Sequence, residues 1–162
     1  MERKNLSIDV GSILLFGVGI FCLAALVTYS PSDPSFLNNA TEVNSNACGL
    51  VGAHLASVLL GVFGLAAFLM PWALFVLGVA LHKGEGRIRL LGTLAGLSVA
   101  VMALTVFLAL QWKYWPFGGS LLLTGGIFGT WMMHKLAMYF STLGASIVSL
   151  SVFLLSLTLS TP

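Results

Sequence analysis

The chain has 162 residues, 58% of them apolar and only 7% charged, with seven Lys/Arg against five Asp/Glu and a formal net charge of +2. A soluble domain carries roughly a quarter charged residues, so this composition cannot build a water-facing surface and points to an all-α membrane protein. The basic residues are scattered; neutralising several phosphates at once needs a basic patch, so direct nucleic-acid contact by this segment is not expected.

Arg3 and Lys4 precede an uncharged stretch whose core, Ile13 to Thr28, holds ten Leu, Ile, Val or Phe residues. On an insertion scale that stretch is worth roughly −3 to −6 kcal/mol. It is too long for a secretory h-region, and Tyr29-Ser30-Pro31 offers no small-x-small cleavage site. A retained first span over about 13–29 is therefore predicted. The following loop, 30–46, carries no Lys or Arg. Its Asn39-Ala40-Thr41 matches a glycosylation pattern that is short enough to arise by chance.

From Ala47 to Leu81 no residue is charged. As one straight helix this run would reach about 50 Å at ~1.5 Å per residue, against a hydrocarbon core of about 30 Å. It must break, and Gly61 and Gly64 mark the place. The reading is an interfacial or re-entrant amphipathic helix over about 49–60 and a second span over about 62–81, with a kink expected at Pro71.

The polar, basic segment 82–89 is a tight loop before a third span over about 90–110. Gly92, Gly96 and Ala100 form a small-residue stripe suited to close helix packing within the chain. Gln111-Trp112-Lys113-Tyr114-Trp115-Pro116 has the chemistry of a headgroup boundary. His134 and Lys135 make Trp131 to Phe140 an uncomfortable span, so a second interfacial helix is assigned to about 121–139. The fourth span covers about 141–159, with Ala145, Ser149 and Ser156 as small contacts.

At an offset of eighty residues Gly49, His54 and Gly64 fall on Gly129, His134 and Gly144. Both halves then read as span, loop, amphipathic helix, span, which suggests a duplicated hairpin with its copies parallel in the membrane. Arg3, Lys4, Lys83, Arg87 and Arg89 lie on one side, and only Lys113 and Lys135 on the other. The positive-inside rule then places both termini in the cytoplasm.

Chemistry-bearing residues are sparse. The four spans hold no Asp, Glu, Lys or Arg, which argues against an ion-coupled transporter. His54 and His134 lack further ligands at metal spacing, so neither a metal nor a cofactor is expected. Cys22 and Cys48 form no CxxC and read as small apolar fillers. Neither a G-x-S-x-G, an H-E-x-x-H nor a P-loop pattern occurs, so no catalytic residue is assigned. Asp33 before Pro34 has the form of an N-cap with proline at the first helical position, which predicts a short helical turn.

The stretch Tyr29-Ser30-Pro31-Ser32-Asp33-Pro34-Ser35, then Asn46-Ala47-Cys48-Gly49-Leu50-Val51-Gly52-Ala53, Phe63-Gly64-Leu65-Ala66-Ala67, Pro71 and Gly118-Gly119-Ser120, resembles the N-terminal membrane domain of the FtsK/SpoIIIE DNA translocases of bacteria. The resemblance covers nearly the whole chain. It implies an inner-membrane anchor of four spans at the division septum, a homo-oligomer (a hexamer in that family) and divisome proteins as partners besides the bilayer. It also implies a role in cell division and chromosome partition. Tyr29, Ser30, Pro31, Asp33, Pro34, Ser35, Gly49 and Gly52 would be its structural loop motif. The family's ATP-driven motor would lie beyond this chain, which is then not itself an enzyme. His54-Leu55-Ala56-Ser57 departs from the family at a place where an acidic residue is expected. The alternative is a small oligomeric channel or transporter, suggested by the duplication, the glycine-rich segments and the paired histidines. A four-helix thiol oxidoreductase would need paired outer cysteines, and Cys48 stands alone there.

Overall fold

The computed structural model describes residues 2–36 and 44–160, with side chains from residue 8 onward. Its elements are α1 (Glu2–Val27), α2 (Gly49–Phe63), a 3-10 segment (Gly64–Phe68), α3 (Leu69–His82), α4 (Arg87–Gln111), a hairpin of β1 (Tyr114–Phe117) and β2 (Ser120–Leu123), and α5 (Gly126–Ser160). Ser141 interrupts α5 with non-helical backbone. Among the described residues four helical stretches are long and apolar enough to cross a membrane: Ile8–Val27, Gly49–His82, Arg87–Gln111 and Gly126–Ser160.

Helices α1 and α3 form one antiparallel pair. Phe16 and Phe75 stack at 6.1 Å, and Gly19 and Gly78 give these rings room, since a Cβ on either would touch the opposing ring. At the end where α3 turns into α4, His82 Nδ1 lies 3.3 Å from Asp9 Oδ1. Helices α4 and α5 form the second pair. Gln111 Nε2 donates to Ser146 Oγ at 3.2 Å near one end, and Gly96 lies against Ser160 near the other. Gly96 of the small-residue stripe is thus spent on packing within the chain, while nothing lies within 4 Å of a Cβ built on Gly92.

These contacts define a turn end, holding residues 83–86, and a looped end, holding the longer connections. Helix α2 runs across the looped end rather than along the bundle. At its start Asn46 Nδ2 donates to Ala25 O at 2.8 Å and Cys48 Sγ to Phe21 O at 3.5 Å. At its finish Leu65 N–H donates to Thr124 O at 2.8 Å, beyond the end of α4. Its buried face packs Ala56 and Leu60 against Cys22, Ala25 and Leu26 of α1. The first half of α5 does the same on the other side, starting where Gly125 abuts Ala109 and returning to the looped end before Ser146 reaches Gln111.

Several expectations are corrected. The break in the second apolar run falls at Gly64, which has φ +59, and not at Gly61. Pro71 is not in mid-helix: it is the third residue of α3, where the N–H that proline lacks has no partner within that helix, and the 3-10 segment Gly64–Phe68 lies just before it. Residues 121–123, assigned to an interfacial helix, are in β2, and the helix begins only at Gly126. The fold is therefore mostly helical, with a two-stranded hairpin that the all-α reading omitted. Its register pairs Tyr114 with Leu123 and Phe117 with Ser120, and its turn residues Gly118 and Gly119 have φ +58 and +83. Two positive φ values at the centre of a two-residue loop match the twist of the strands, and glycine adopts both without strain.

The boundaries of the crossing helices recur in a register different from the eighty-residue offset. Gly49 (φ +65) and Gly126 (φ +60) each open a crossing helix, and Gly64 (φ +59) and Ser141 (φ +56) each end one. Both pairs are 77 residues apart, and that spacing also superposes Gly52 on Gly129. His54 then falls on Trp131, so the two histidines do not occupy equivalent places.

Candidate functional site

The residues singled out from the sequence meet at the looped end. After α1 the backbone turns, with Asp33 N–H donating to Ser30 O at 3.1 Å. Pro34 and Ser35 are not helical, so Asp33 does not cap a helix that starts at Pro34; instead its buried carboxylate reaches across the loop. Asp33 Oδ1 accepts from both Ser45 N–H and Ser45 Oγ, each at 2.7 Å, and so closes residues 33–45 into a ring. Its Oδ2 is also buried and has no hydrogen-bond partner among the described residues. Ser30 and Ser32 share a hydrogen bond at 2.7 Å on the exposed side of the same turn. The pattern Asn39-Ala40-Thr41 lies outside the described residues.

Tyr29 and Pro31 form the platform on which the hairpin rests. The Tyr29 ring stacks on Phe117 at 6.3 Å, and Phe117 also meets Phe68 edge-on at 5.8 Å. A Cβ on Gly118 would meet Pro31 Cδ at 3.0 Å and Tyr29 O at 3.1 Å. Tyr29 lies beyond the end of α1; burial, and then the charge of nearby Asp33, push its phenol above the ordinary tyrosine range. Pro34 and Ser35 continue the turn at half burial.

Asn46, part of the stretch that carries the resemblance but given no role of its own there, ties this region together. Its Nδ2 donates to Ala25 O at 2.8 Å, satisfying a carbonyl in the last turn of α1, and its Oδ1 accepts from Cys48 N–H at 3.0 Å. A Cβ on Gly52 would collide with Asn46 Oδ1 and Cys48, so Gly52 is small to admit them, and Gly49 supplies the positive φ that starts α2. In the second half Thr124 has the matching task, donating from Oγ1 to Leu108 O at 3.2 Å and to Trp112 O at the end of α4. The signal available in the sequence was an Asn or Thr two or three residues ahead of a helix-opening glycine.

The remaining candidates are dispersed. His54 Nδ1 is 2.8 Å from Leu50 O within its own helix, and the ring meets Phe36 edge-on at 4.3 Å. His134 is exposed on α5. Cys22 is buried and Cys48 half-buried, both as free thiols. Among the described residues no three His, Cys, Asp or Glu side chains gather to hold a metal ion. What the looped end offers is bracing: two crossing helices, a hairpin and a closed loop, tied by side chains that satisfy helix-end carbonyls.

The chain is similar over this whole arrangement to proteins named DNA translocase FtsK. That of Rickettsia typhi is 28% identical over 150 residues, covering 91% of this chain and 20% of the relative. The Brucella suis protein is 30% identical over 129 residues, covering 75% and 15% respectively. The Rickettsia prowazekii protein is 37% identical over 78 residues, or 48% and 10%. The chain thus spans about a fifth or less of the length of these relatives. No solved structure matches it. With residues 4–162 matching the family described as the 4TM region of DNA translocase FtsK/SpoIIIE, the chain belongs to that family of membrane domains.

Proposed function

We propose that this chain is the membrane anchor of an FtsK-like DNA translocase, placed in the bacterial inner membrane with both termini in the cytoplasm. It gathers at the division septum, assembles with copies of itself, as a hexamer where a motor ring follows, and engages divisome proteins through its looped end. DNA movement belongs to the ATP-driven motor of the full-length relatives, and this segment makes no direct contact with nucleic acid.

The observation that carries the reading is the pairing of four apolar stretches with a looped end rigidly tied to them. An anchor has to resist pulling, and hydrogen bonds from loop side chains to helix-end carbonyls serve that purpose better than they serve a pore. The channel alternative drew on paired histidines, and the 77-residue register separates them. The test is a fluorescent fusion of residues 1–162 in dividing cells, alongside a full-length relative lacking this segment. Septal fluorescence from the fusion and filamentous growth with the truncated relative are expected. Uniform membrane fluorescence together with normal cell length would refute septal anchoring.

A further inference from the structure

Between the two helix pairs lies an apolar groove of about 390 Å³, walled by Ala73 and Leu77 of α3 and by Leu94 and Val101 of α4. Leu59 and Phe63 of the crossing helix α2 also line it, and because α2 runs over the looped end they close the groove there. The lining residues nearest the turn end are Leu77 and Leu94, and α2 contributes none there. A spanning helix of a second copy cannot lie along it, because α2 blocks its path. A flexible chain entering from the turn end and stopping beneath α2 fits.

The turn end supplies the matching charge. Arg87 is seven residues before Leu94, hence about 10 Å away along α4 at ~1.5 Å per residue, and two turns down on nearly the same helix face. Arg87 is exposed and forms no ion pair among the described residues, whereas Arg89 Nε is engaged with Glu85 Oε2 at 3.4 Å. Lys83, in the same turn end, is exposed too. We propose that the groove binds one acyl chain of an anionic glycerophospholipid from the turn-end leaflet, with the lipid phosphate on Arg87. The chain reaches the groove with its distal half and ends against Leu59 and Phe63. The site rests on the reading of these helices as membrane spans, and it adds a ligand that the anchoring role does not require.

The experiment reconstitutes residues 1–162 in vesicles of equal parts phosphatidylglycerol and phosphatidylethanolamine, extracts them in mild detergent and reads retained lipid by native mass spectrometry. The wild type is expected to retain one phosphatidylglycerol in preference to phosphatidylethanolamine. Arg87→Gln should lower that preference about fivefold, the factor for one arginine near a membrane surface. Ala73→Trp, or Leu94→Trp at the open mouth if the first variant fails to fold, should abolish retention of either lipid. Unchanged retention in the filled groove overturns the site, and an unchanged preference in Arg87→Gln overturns the headgroup assignment. A dimer that carries no lipid would show a second copy in the groove and overturn it too. Release of the wild type from vesicles by alkaline carbonate would instead refute the membrane-spanning reading on which the site rests.

Discussion

Gly64 and Gly126 meet backbone to backbone where the two halves of the chain cross. A Cβ on Gly64 would be driven into Thr124 O and into the Gly126 amide, and a Cβ on Gly126 into Val62 O and the Gly64 amide. Both residues also hold positive φ, +59 and +60. One position in each half thus ends or begins a crossing helix while giving way to the other.

Alanine at Gly126 should therefore be costly twice over, through left-handed strain of about 1–2 kcal/mol and overpacking of about 1–3 kcal/mol. Gly84 separates the two terms, since its φ is +71 but nothing lies within 4 Å of its Cβ direction. Thermal unfolding in detergent is expected to show Gly126→Ala far less stable than Gly84→Ala. Equal losses would mean that the crossing is not a tight contact.

Asn46 offers a second test. Alanine there removes the donor to Ala25 O and the acceptor for Cys48 N–H, at about 1–3 kcal/mol for buried groups left unpaired. Aspartate should be worse than alanine, because a carboxylate set against the Ala25 carbonyl cannot donate. Hydrogen exchange should quicken at the start of α2 in both variants. Stability equal to wild type in Asn46→Asp would remove Asn46 from its bracing role.

The phenol of Tyr29 is raised by burial and then by Asp33. A group raised in the folded state stabilises it at lower pH, and that contribution is lost as pH climbs through the folded value. Asp33→Asn removes the second cause and leaves the first, while the amide oxygen still accepts from Ser45. Tyrosinate absorbance on alkaline titration should then rise at lower pH than in wild type for one tyrosine of the three in the chain. A superposable titration curve would separate Tyr29 from Asp33.

The hairpin is the next place to probe. Gly118→Val puts a β-branched residue at φ +58, against Pro31 and Tyr29 O, which should cost at least about 1–2 kcal/mol from left-handed strain alone. Phe117→Ala removes the ring between Tyr29 and Phe68. Near-ultraviolet circular dichroism should lose aromatic signal in both variants. An unchanged spectrum in Phe117→Ala would contradict the stacking.

The spans were legible because nothing competes with twenty uncharged apolar residues in lipid, and the length of the run from Ala47 to Leu81 forced a break. The hairpin was hidden by its own composition. Trp112, Tyr114 and Trp115 are equally at home at a headgroup boundary and in a strand, and Gly118-Gly119 signals a hairpin turn only when both flanks read as strands. The repeat was misregistered because glycines were matched, whereas the second break is made by a serine, Ser141, at φ +56. No local pattern announces a serine in that conformation. Asp33 was read as a cap from its neighbour Pro34, but its partner Ser45 is twelve residues away, a distance that local rules do not cover.

The arrangement of four spans places residues 28–36, 44–48 and 112–125 at one membrane face and 83–86 at the other. Cysteine at exposed Ser120 or exposed Lys83, in a background with Cys22 and Cys48 changed to serine, reports each face. With an impermeant maleimide on intact spheroplasts, Ser120→Cys should react at once and Lys83→Cys only after lysis. Reaction of both from the same side, or the reverse order, would contradict the fold's placement in the membrane.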